Sequence, residues 1–192
     1  MTEFTIHTVE SAPEGSRAQL ATTRSAWGFV PNLHGILAES PTALIAYDTL
    51  FGLMSQSTLT PAEQQIVYLT ISVFNGCEYC TMGHTYLARA ADLEESEIQR
   101  LRHGEPLSNP RSNALGAFVR NVVAQRGRVG DAALEAFVAA GFTRANVLEV
   151  VTAVATKTIS NYTNHITHTP REGFMADAAL AWTAPAEPAA LA

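Results

Sequence analysis

The hydrophobic pattern is mostly helical. Behind Ser40-Pro41, a cap residue followed by proline at the first helical position, come Leu44, Ile45, Tyr47, Phe51 and Met54 at helical spacing. Leu115, Phe118, Val119, Val122 and Val123 form a clean i, i+3, i+4, i+7, i+8 stripe. Thr143 opens the longest segment, with Val147, Leu148, Val151, Val154, Ala155, Ile159, Tyr162 and Ile166 on one side and Pro170 as its stop. A domain of this size has limited interior, so part of that apolar side is expected to pair with another subunit.

Shorter segments fill the rest. A weak helical pattern runs from Ser16 to Trp27 and is broken by Gly28-Phe29-Val30-Pro31; Asn32 is the expected cap of a short helix through Leu33, Ile36 and Leu37. Others span Glu78 to Ala91, Glu94 to Leu101, and Ala132 to Ala140, the last capped by Asp131 and ended at Gly141. Thr60-Pro61-Ala62-Glu63 is the clearest start signal, a cap threonine, a proline at N1 and a glutamate at N3. The segment it opens is ambiguous, because Leu69-Thr70-Ile71-Ser72-Val73 alternates like a strand and is rich in β-branched residues. The cap, and the distance from Pro61 to the Asn75-Gly76 stop, favour a buried helix. The expectation is one all-α helical domain over residues 16–176. An extended segment (1–15) precedes it and a frayed Ala/Pro-rich tail (177–192) closes the chain.

Composition narrows the function classes. Of 192 residues, 47% are hydrophobic and 16% charged, enough apolar surface for a packed core and too little charge for a disordered chain. The net charge is −6 and no stretch gathers the basic residues, which argues against a nucleic-acid or anionic-membrane binder. The first residues lack a basic region followed by an apolar one, and the longest apolar run, Ile66 to Phe74, is far below the ~20 residues of a spanning helix. Two cysteines in one short motif are not a secreted disulfide framework; in the expected cytoplasmic setting such a pair is redox-active or metal-binding.

That motif, Asn75-Gly76-Cys77-Glu78-Tyr79-Cys80-Thr81-Met82-Gly83-His84, holds the candidate chemistry. Cys77 stands at a helix start, where free N–H groups and the helix dipole favour a thiolate and lower a pKa that is ~8.5 for an unperturbed thiol. Two cysteines three apart can close a disulfide across one turn, and His84, four residues after Cys80, can take a proton from its thiol. Cys77, at the very helix start, is expected to be exposed to an incoming reductant. Other readings stay open: half a zinc site completed by His84 and His165, a ligand-binding helical protein, a redox-sensing oligomer without efficient turnover, or a thioredoxin-like fold. The last conflicts with the absence of strand-like segments after Ala91. Surface positions are expected for His7 and His34, a loop for His103, and the last helical turns for His165 and His168.

Thr60-Pro61-Ala62-Glu63-Gln64-Gln65-Ile66-Val67, with the Cys77/Cys80/His84 motif, resembles the carboxymuconolactone decarboxylase superfamily, and within it the CxxC-containing alkyl hydroperoxidase D (AhpD-like) branch. Gly28-Phe29-Val30-Pro31-Asn32, Gly141-Phe142-Thr143 and Asn161-Tyr162-Thr163-Asn164-His165 extend the likeness over roughly Gly28 to Pro170. The resemblance implies an all-α, AhpD-like helical bundle that forms a homo-oligomer, trimeric or hexameric, and acts as a thiol peroxidase on hydroperoxides. Cys80 would attack the peroxide, Cys77 would resolve it and His84 would relay the proton. A dithiol protein of lipoyl or thioredoxin type would return the electrons, with no bound cofactor. Two positions depart from the pattern: Gln65 stands where the branch has a relay glutamate, and Tyr79 where a histidine precedes the second cysteine. Glu63 is a candidate replacement for that glutamate, but it lies about 160° around the helix from Gln65 at ~100° per residue, and its place in the capping box is the favoured reading. The decarboxylation that names the superfamily needs no disulfide.

Overall fold

The computed structural model describes residues 3–185, and within them the regular structure is helical. The order is α1 (Glu14–Trp27), α2 (Asn32–Leu37), α3 (Pro41–Met54), α4 (Pro61–Phe74), α5 (Glu78–Ala90), α6 (Glu95–Arg102), α7 (Pro110–Ala124), α8 (Asp131–Ala139) and α9 (Arg144–Thr167), then a 3-10 turn, Gly173–Ala176. No single helix among the described residues is long and apolar enough to cross a membrane.

Helix α4 explains its own ambiguous sequence. Thr60 Oγ1 accepts from Glu63 N, and the Glu63 carboxylate accepts from Thr60 N, so the capping box is closed. Every residue from Ile66 to Ser72 is buried, because α5, α6, α7 and α9 pack around this helix. A helix surrounded on all sides has no polar stripe, so helical periodicity is erased and the β-branched run reads like a strand. It ends at Asn75, and Gly76, at φ +66°, takes the left-handed turn that lets Cys77 open α5.

Two apolar clusters make up the interior. The larger gathers α4, α6, α7, α8 and the first half of α9, with Phe118, Phe137 and Phe142 stacked in sequence. The smaller joins α1, α2 and α3 through Leu20, Leu33, Leu37, Leu44 and Tyr47. Phe51 touches both.

Helix α9 is inverted relative to an ordinary amphipathic helix. Its buried face holds Asn146, Thr156, Lys157, Ser160, Asn161 and Asn164, with Val150 and Ala153 as the apolar exceptions. Much of the apolar side is exposed: Leu148 and Ile166 at 68%, Val151 and Tyr162 at about half. Val147, Val154 and Ile159 pack partly against the two clusters.

Several expectations need correction. Asn32 is the first residue of α2 rather than its cap; its side chain donates to Pro170 O at 3.1 Å. Asp131 is likewise the first residue of α8, behind Gly130. Residues 179–182 are docked, not frayed: Leu180 is buried, Trp182 Nε1 donates to Arg102 O at 2.9 Å, and the Arg102 guanidinium donates to Ala179, Leu180 and Ala181 carbonyls. The last part of the expected tail, 186–192, lies outside the described residues.

Candidate functional site: a thiol pair at the floor of an aromatic cavity

Cys77 is the N-cap of α5, and Cys80 lies in its first turn. Both thiols are unbridged and buried. Helix α9 runs behind them with its polar face: Asn164 Nδ2 donates to Cys80 Sγ at 3.2 Å and lies 3.7 Å from Cys77 Sγ, and Cys80 Sγ is 3.8 Å from Ser160 Oγ. Lys157, buried on the same face, has no hydrogen-bond partner for its Nζ among the described residues.

Electrostatics separates the two sulfurs. Burial pushes the Cys80 thiol up, but the neighbouring Cys77 thiol, the Lys157 ammonium and Ser160 outweigh that and hold it well below the usual thiol range. The contact with Cys80 and burial drive Cys77 the other way. One thiolate shared by the pair therefore resides on Cys80.

A cavity of about 370 Å³ opens onto this thiolate where the two apolar clusters meet. Cys80, His84 and Lys157 line it together with Trp27, His34, Tyr47, Phe51, Tyr79 and Glu172, whereas Cys77 does not. Cys77, expected to meet the reductant, is only 1% exposed; capping the helix turns its side chain into the packed junction with α9.

His84 is fixed by Gln65, whose Oε1 accepts from His84 Nδ1 at 2.9 Å, and by stacking on Tyr68 at 4.8 Å between centroids. An amide oxygen can only accept, so the proton sits on Nδ1 and Nε2 keeps its lone pair. Burial, with the Lys157 charge as a lesser cause, holds the His84 pKa well below the usual imidazole value. A glutamate at position 65 would fix the same tautomer and also raise the ring's basicity. Gln65 does only the first.

Glu63 is placed elsewhere. Its Oε2 accepts from Thr60 N and its Oε1 from Arg111 Nε at 2.9 Å, so both oxygens serve the start of α4. Tyr79 donates from its hydroxyl to Glu172 Oε1 at 2.5 Å, and Glu172 also accepts from Asn32 N, which ties α5 to α2 and the C-terminal segment. His34, expected at the surface, is buried: its Nε2 lies 3.0 Å from Asp48 Oδ1, while Asp48 Oδ2 accepts from Gln19 and Thr23. His165 is exposed, and among the described residues no three His, Cys, Asp or Glu side chains group to hold a metal.

Sequence reasoning about the motif missed Lys157, Ser160, Asn164 and the aromatic lining. The available signal was the polar stripe of α9 opposite its apolar one, which contains the only lysine in the sequence.

An all-helical bundle with an α5 thiol pair backed by polar α9 side chains defines an AhpD-like fold. Residues 42–121 match the family described as the carboxymuconolactone decarboxylase family. No curated protein matches the chain in sequence. Among solved structures it is similar to the alkylhydroperoxidase AhpD core of a peroxidase-related protein from Ralstonia eutropha JMP134. That likeness has TM-score 0.80 and 19% identity over 94% of this chain and 97% of that one. A peroxidase-related protein from Silicibacter sp. TM1040 gives TM-score 0.75 and 17% identity over 92% and 96%. The debrominase Bmp8 gives TM-score 0.76 and 16% identity over 94% and 97%, and a cysteine-to-alanine variant of it is known with 2,3,4-tribromopyrrole. At such identities the likeness establishes the fold.

Proposed function

We propose that the protein is a thiol-dependent peroxidase and disulfide oxidoreductase in which Cys80 is the reacting thiol. The observation that carries this reading is the asymmetry of the pair: Cys80 faces the cavity and holds the thiolate, and Cys77 lies behind it. The Cys80 thiolate attacks the terminal oxygen of a hydroperoxide, the O–O bond breaks, and the alkoxide leaves and takes up a proton. Cys80 is then a sulfenic acid. His84 Nε2 takes the proton of the Cys77 thiol as Cys77 attacks that sulfur; the disulfide forms, and the hydroxide that leaves takes up the proton and departs as water. A dithiol protein of lipoyl or thioredoxin type restores the pair by exchange, entering at Cys80 because that sulfur faces the cavity. No bound cofactor takes part. The cavity also admits organic substrates other than peroxides, and the debrominase among the structural relatives supports keeping reductive chemistry on such compounds in view.

The test is a pair of variants. Cys80→Ser abolishes consumption of cumene hydroperoxide, and Cys77→Ser reacts once to leave a sulfenic acid that dimedone traps. Turnover surviving in Cys80→Ser while Cys77→Ser is inert reverses the assignment.

A further inference from the structure

The cavity is built for something larger and flatter than hydrogen peroxide. An apolar cavity of ~150 Å³ is enough to hold benzene, and this one is about 370 Å³. Trp27, Phe29, Tyr86 and Phe174 line it while remaining more than a third exposed, and Tyr47 and Phe51 line it from the interior. The aromatic rings continue inward without a break: Trp27 to Phe51 at 6.3 Å, Phe51 to Tyr68 at 5.6 Å, and Tyr68 to His84 at 4.8 Å. Such faces and edges favour a planar π-system over an alkyl chain of equal size.

The charged groups in the lining are unequal. Glu172 has its Oε1 taken by Asn32 N and the Tyr79 hydroxyl. Lys157 is only 1% exposed, lines the cavity and has no hydrogen-bond partner among the described residues; the face of Tyr68 is 5.8 Å from its ammonium. The Lys157 charge is balanced by the Cys80 thiolate, but its N–H groups are buried without a hydrogen-bond acceptor among the described residues, and an entering anion supplies one.

We infer that the cavity is the binding site of a planar aromatic acid, its ring system among Trp27, Tyr47 and Phe51 and its anionic group on Lys157. This deepens the thiol reading, since it places such a ligand within reach of Cys80, but binding can be measured without any turnover. The experiment uses the full chain carrying Cys80→Ser, in which no thiolate competes for the ammonium. Calorimetry with 2-naphthoate, its neutral analogue 2-naphthamide and the saturated decahydro-2-naphthoate separates charge from planarity. Naphthoate is expected to bind about ten-fold or more tightly than either, as one charge-assisted contact to a buried ammonium provides. Lys157→Met added to this chain brings naphthoate down to the naphthamide affinity, and Lys157→Arg restores most of it. Equal binding of all three compounds, binding of the saturated acid as tight as naphthoate, or no binding at all overturns the inference and leaves the peroxide test untouched. The three-ligand comparison needs no Lys157 variant, so it stands even if Lys157→Met fails to fold.

Discussion

Asn164 reaches across from α9 to place its amide 3.2 Å from Cys80 Sγ, a contact between residues 84 positions apart. It is a donor aimed at a sulfur that bears negative charge, so it stabilises the thiolate over the thiol. Replacing it with leucine, of similar shape, is expected to raise the Cys80 pKa, because a hydrogen bond to the charged form is lost. The pH midpoint of iodoacetamide alkylation reads this directly. Lys157→Met moves the midpoint up as well, because the coulombic support of the ammonium is lost. A midpoint unchanged in both variants would show that α9 does not tune the thiol.

His84 gives stability a defined pH dependence. Its folded pKa is held well below the usual value by burial. Below about pH 6.5 the unfolded chain takes up a proton on this ring that the folded chain does not. The contribution is therefore fully present above that pH and is lost as the pH falls towards the folded pKa. Urea unfolding of His84→Phe, which keeps the ring stacked on Tyr68, should show a shallower loss of stability between about pH 6.5 and 5 than the parent.

Glu63 is assigned to the helix start by its contacts to Thr60 and Arg111. Glu63→Ala, which removes the acceptors of both Thr60 N and Arg111 Nε, should cost stability on the order of 1 kcal/mol, as loss of a cap does, and leave the alkylation midpoint of Cys80 in place. A shifted midpoint with unchanged stability would return Glu63 to the proton relay.

The exposed apolar side of α9 is the expected face of self-association. Leu148, Val151, Tyr162 and Ile166 share it, and neither apolar cluster reaches them. Sedimentation at micromolar concentration should give a mass above one chain, and Val151→Glu with Ile166→Glu should reduce it. A single-chain mass for the parent rules the interface out.

Local signals decided the helices. Ser40-Pro41, the Thr60–Glu63 box, Thr143 and Gly76 act through contacts within a few residues, so their consequences were legible in the sequence, as was the placement of Cys77, Cys80 and His84 along one helix. Only the tertiary structure decided which side of each helix is inside. The apolar stripe of α9 is real, yet its polar side is the buried one, because the α5 thiols need donors and a cation that only a facing helix can supply. His34 reads as a surface residue until Asp48 of α3 is brought to it, and Cys77 reads as exposed until α9 covers it. Burial of a polar side chain is offset by a partner distant in sequence, and no spacing rule along one chain records where that partner will be.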